Sequence, residues 1–78
     1  MRITYDPRVD ALYIGFSDRA PSGSTDLEEG VTVDLDDEGH VLGLEVLDAA
    51  KRFGAEAIAT VHVEQILASE AETIQLEQ

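Results

Sequence analysis

The chain reads as an α+β protein: a five-strand antiparallel β-meander, then a short helix and a C-terminal helical segment. Two observations predict it. Before residue 48, apolar and polar residues alternate along several stretches separated by turn formers, the pattern of half-buried strands. From Asp48 onward the alternation gives way to helix formers at helical spacing. Seventy-eight residues suit one domain, with residues 1–53 carrying the ribbons and short helix and 54–78 a helical segment with a frayed tail.

Taken in order, Ile3 and Tyr5 alternate with Arg2, Thr4 and Asp6, and Pro7 ends this first strand because it has no amide to donate. Leu12, Ile14 and Phe16 share one side of a second strand over residues 11–17, and residues 7–10 make the reversal. Residues 18–24 are turn formers without periodicity and form a loop. Residues 25–28 resume as a short edge strand. Val31, Val33 and Leu35 then alternate with Thr32, Asp34 and Asp36. The segment Asp37-Glu38-Gly39-His40 turns the chain, and Leu42, Leu44 and Val46 continue on the same side. Gly43 leaves a gap for a neighbouring group.

Asp48 is placed as an N-cap, Lys51 and Arg52 suit a last turn, and Gly54 suits a left-handed C-cap. Ile58, Ala59, His62, Val63, Ile66 and Leu67 fall on one face of a helix over residues 55–70. The rival reading is a strand over 60–64, where Val61 and Val63 alternate with polar neighbours. The apolar side of the sheet needs a cover, and whatever the C-terminal segment leaves open calls for a second copy or another partner.

Five Lys plus Arg against seventeen Asp plus Glu give a formal charge of −12, which opposes direct contact with nucleic-acid phosphates or an anionic membrane. There is no cysteine, hence no disulfide and no thiolate metal site. No apolar stretch approaches the roughly 18 residues of a membrane span, and no apolar h-region follows Arg2, so a cytoplasmic location is expected.

Asp34, Asp36, Glu38 and Glu45, with Gly39 and Val41, match the positions of a calcium-binding EF-hand loop. That loop requires a helix on either side, whereas the flanks here alternate as strands. These four acids are the only candidate metal ligands, within an alternative reading as a small-molecule or cation-binding protein. His40 and His62 lack a second imidazole at metal-binding spacing. Asp6 and Asp10 with Tyr13 could be imagined as an acid and base pair, yet acids beside turns usually cap them. The serines lack a nucleophile elbow and the glycines never reach phosphate-loop spacing. No catalytic residue and no cofactor are expected.

The residues Tyr5-Asp6, Asp10-Ala11-Leu12-Tyr13-Ile14, Gly30-Val31, Asp34, Gly39, Gly43-Leu44-Glu45-Val46-Leu47-Asp48-Ala49 and Lys51-Arg52 resemble the small bacterial family catalogued as domain of unknown function 2283. The resemblance spans residues 1 to about 53. It implies a compact β-rich fold without an established activity, and some members are similar to antitoxin-like partners encoded beside small toxins. The expectation is therefore a non-enzymatic protein-interaction module, a homodimer that could also neutralise a basic protein partner.

Overall fold

The computed structural model describes residues 1–66. Strands β1 (Arg2–Asp6), β2 (Ala11–Gly15), β3 (Gly23–Glu28), β4 (Val31–Leu35) and β5 (Val41–Leu47) form one antiparallel sheet. Helices α1 (Ala49–Phe53) and α2 (Ala55–Ala59) follow. The five antiparallel strands and the helical continuation are as the residue pattern predicts.

The strand order is not that of a meander. It runs β1-β2-β5-β4-β3, so β5 lies between β2 and β4, and β2 through β5 form a Greek key. The composition of the strands explains the exchange. β3 is polar, exposed along its whole length and interrupted by a bulge near Asp26 and Glu28, features that suit an edge. β5 is apolar and contains the buried Leu42, Gly43 and Val46, so it belongs in the middle. Residues 16–22 carry the chain across three strand spacings, about 14 Å, well within the reach of an extended linker of that length.

Cross-strand register gathers the apolar side as predicted. Ile3 pairs with Ile14 and Ile14 with Leu44, while Tyr5 pairs with Leu12 and Leu12 with Val46. Val33 and Val31 extend these rows from β4. Val33, Leu42, Val46 and Ala49 are buried, yet no large side chain among the described residues is fully enclosed. Phe16 is half exposed. The core is thin, as a chain of this length dictates.

The helices depart from expectation in three places. Asp48 sits at φ 56°, ψ 40° and makes no side-chain capping bond. The chain must turn sharply from β5 into α1, and aspartate tolerates the left-handed region there. Gly54 closes α1 through its amide to the Ala50 carbonyl at 2.7 Å, but at φ 92°, ψ 145° it is not in the left-handed helical region. The third departure is the helix expected over 55–70, which stops at Ala59 and leaves Thr60 extended. Residues 60–66 are neither helical nor paired as a strand, and residues 67–70 of that expectation lie outside the described ones. The β-branched Thr60, Val61 and Val63 lose side-chain freedom in a helix, and no sheet edge takes them up.

Candidate functional site

The acidic hairpin is built around Asp36, whose side chain is only 2% exposed. Its Oδ1 accepts the amides of Glu38 at 2.9 Å and His40 at 2.8 Å, which folds residues 36–40 into a tight turn closed by the Asp36 amide on the His40 carbonyl at 2.9 Å. Gly39 supplies the positive φ of 84° this turn requires. Arg19 brings a guanidinium nitrogen to 2.9 Å from Asp36 Oδ2, and its other nitrogen lies 3.8 Å from Asp37. The approach to Oδ2 is off the hydrogen-bond axis, so it acts as a charge contact. The His40 amide holds the Asp36 carboxyl below its usual range, aided by the Glu38 amide and the Arg19 charge and opposed by burial.

Arg19 lies in the linker that crosses the sheet end, and the Ser22 amide bonds to the Leu35 carbonyl at 2.9 Å. Asp36 therefore anchors both the hairpin and the crossover. Glu38 and the His40 side chain are exposed, and the His40 ring is 3.5 Å from Asp36. Asp34 and Glu45 stand on the polar side of the sheet, as β4 and β5 alternation requires. The four acids named from the EF-hand spacing are thus distributed between a turn and a sheet face, flanked by strands. Among the described residues no three His, Cys, Asp or Glu side chains are arranged to hold a metal ion.

On the polar face Tyr13 fills the gap at Gly43. Its hydroxyl donates to Asp34 Oδ2 at 3.0 Å, and a Cβ on Gly43 would fall on the phenol, with the ring carbon bearing the hydroxyl only 2.6 Å away. The bond to Asp34 raises the phenol's ionisation above its usual value, with burial and the Asp34 and Glu45 charges adding to the effect and Arg2 opposing it.

Asp10, Asp6 and Tyr13 do not come together. Asp6 takes the Arg8 guanidinium at 3.0 Å, and Arg8 lowers its carboxyl. Asp10, at φ 53°, accepts the Tyr5 hydroxyl at 2.7 Å and the Ala50 amide at 2.8 Å, while its carbonyl accepts the Ala49 amide at 3.1 Å. Asp10 caps α1 from forty residues away in the chain, the role that local spacing assigned to Asp48. Arg52, expected only as a helix-end cation, instead bonds the Leu47 and Glu29 carbonyls and Glu28, tying α1 to the β3–β4 turn. Nothing in the local pattern around Arg19, Asp10 or Arg52 announces these partners, which depend on tertiary proximity.

The remaining feature is an open groove of about 330 Å³ on the apolar side, lined by Ile3, Tyr5, Leu12 and Ile14 from the sheet and by Ile58 and Val61 from above. Ile3 is 39% and Val61 60% exposed, and Val63 and Ile66 are exposed as well. α2 leaves β1 and β2 partly bare. A smaller polar cleft of about 270 Å³ lies by Met1, Arg2 and Asp18.

Among the described residues, fold and groove together define an open five-strand sheet with an incompletely covered apolar face. The chain belongs to the family described as Protein of unknown function (DUF2283), whose sequence profile matches residues 2–49. That match holds all five strands, including those that wall the groove, and ends at the first residue of α1, with α2 beyond it. No curated protein and no solved structure matches the chain. No helix among the described residues is long and apolar enough to cross a membrane.

Proposed function

We propose that the chain is a non-enzymatic protein-interaction module, acting in the cytoplasm, whose apolar groove is completed by another polypeptide and first of all by a second copy. The groove over β1 and β2 carries this reading. Among the described residues it is apolar, open, and roofed by a helix of one turn, and the described core holds no large side chain that is fully enclosed. A chain this short has little stability to spare, and association would add what its own core lacks. The sites rich in titratable groups are engaged otherwise: Asp10 caps a helix, Asp36 closes a turn, and Tyr13 spans a glycine gap to Asp34.

A basic protein is the second partner the observations favour. The net charge is −12, and the polar face carries Asp26, Asp34 and Glu45 in neighbouring rows.

Thermal melting over a hundredfold dilution tests the proposal. Self-association stabilises by mass action, so the melting temperature falls by several degrees between roughly 100 µM and 1 µM. A melting temperature independent of concentration, together with no association with a basic protein at low salt, overturns it.

A further inference from the structure

We infer that the second copy joins along the free edge of β1, pairing antiparallel about Thr4 to make one continuous ten-strand sheet. This rests on the interaction-module reading above and specifies its partner and surface. β1 is an edge strand. The direction of its free backbone groups follows from the ladder beyond it. The Phe16 amide bonds to the Leu42 carbonyl, so Leu12, Ile14 and Phe16 turn their amides and carbonyls toward β5, and Ala11, Tyr13 and Gly15 turn theirs toward β1. Their partners on β1 are Asp6, Thr4 and Arg2. The amides and carbonyls of Ile3 and Tyr5 therefore point outward, and no described backbone group meets them.

Two copies related by a two-fold axis at Thr4 place Ile3 opposite Tyr5 of the second copy, so each outward amide meets an outward carbonyl. Side chains agree with the backbone. On the apolar side, Ile3 and Tyr5 are both groove residues, so the grooves of the two copies join across the axis. On the polar side, Arg2 comes opposite Asp6 of the second copy, and Arg2 has no ion-pair partner among the described residues. Moving the axis to Tyr5 would set Pro7, which has no amide, against Ile3 and would lose the Arg2–Asp6 pairing. The other sheet edge, β3, is bulged, polar and acidic, the features with which a strand resists such pairing.

The chain contains no cysteine, so single thiols report the geometry directly. Thr4 faces its own copy in a non-hydrogen-bonded pair, where Cα atoms lie about 4.5 Å apart, within disulfide reach. In a glutathione redox buffer, Thr4→Cys should form a covalent dimer at least about tenfold more readily than Thr25→Cys on β3. Arg2→Glu, which breaks no ion pair among the described residues, should weaken self-association roughly tenfold while leaving the circular dichroism unchanged. If sedimentation shows the unmodified chain to be dimeric but Thr4→Cys crosslinks no better than Thr25→Cys, the β1 pairing is wrong and the interaction reading survives. If the unmodified chain is monomeric at high concentration and Thr4→Cys stays uncrosslinked, the β1 pairing fails, and the interaction reading fails with it when no basic protein binds at low salt either.

Discussion

Tyr13 crosses the bare backbone of Gly43, and only because that position lacks a side chain does its hydroxyl reach Asp34, at 3.0 Å. Gly43→Ala sets a methyl group against the phenol and should destabilise the chain by about 1–3 kcal/mol, the range for overpacking. Adding Tyr13→Ala removes the obstruction, so the double variant should lose less than the sum of the two single losses. Urea unfolding of the four chains measures this.

Asp10 holds the start of α1 while Asp48, the nearer acid, makes no cap. Asp10→Ala should lower the melting temperature by about 5 °C, the effect of losing a helix cap in a domain of this size. Asp48→Gly should be neutral or stabilising, since glycine adopts a positive φ without strain. Thermal denaturation followed by circular dichroism compares them.

The pH dependence follows from the groups that folding shifts. Asp36, Asp10 and Asp6 all have carboxyls lowered from 3.8, through the His40 amide, the Tyr5 hydroxyl and the Arg8 guanidinium respectively. Their contribution is whole above 3.8 and disappears as the pH falls below it through the lower folded values. Tyr5 and Tyr13 are raised from 10.0, chiefly by their bonds to Asp10 and Asp34. Their contribution is whole below 10.0 and is lost as the pH rises through the higher folded values. Melting temperatures should be level between these limits and fall outside them. Asp36→Ala should flatten the acid side and lower the plateau by several degrees, because it leaves the Glu38 and His40 amides without their acceptor.

Two copies that each carry −12 repel one another at long range. Salt screens this repulsion within about 10 Å at 0.1 M. Self-association should therefore tighten as salt is raised from about 0.01 M to about 0.5 M, even though the Arg2–Asp6 pairs weaken. Binding to a basic protein should change in the opposite direction. Fluorescence anisotropy across a salt series separates the two kinds of partner.

The strands were legible because alternation is local: Ile3, Tyr5, Leu12, Ile14, Leu44 and Val46 announce their common side before any pairing is known. Gly43 likewise announced a gap, which Tyr13 fills. Strand order was not legible, since exchanging β3 and β5 leaves every local pattern unchanged and is decided by which strand can tolerate an edge. The cap on α1 escaped for a related reason: Asp10 and Ala50 become neighbours only once β1, β2 and β5 have assembled. The helix over 55–70 was misjudged because spacing alone cannot weigh the β-branched residues from Thr60 onward against a short, weakly packed helix. The acids of the 34–45 hairpin matched a calcium loop by spacing, while strand geometry assigns them to a turn and a sheet face.

Sedimentation velocity on the full chain, over roughly 1 to 100 µM in moderate salt, tests the central claim most directly. The account predicts a reversible rise toward twice the chain mass, with Arg2→Glu shifting the midpoint to higher concentration. A single species of one chain mass across the whole range would contradict it.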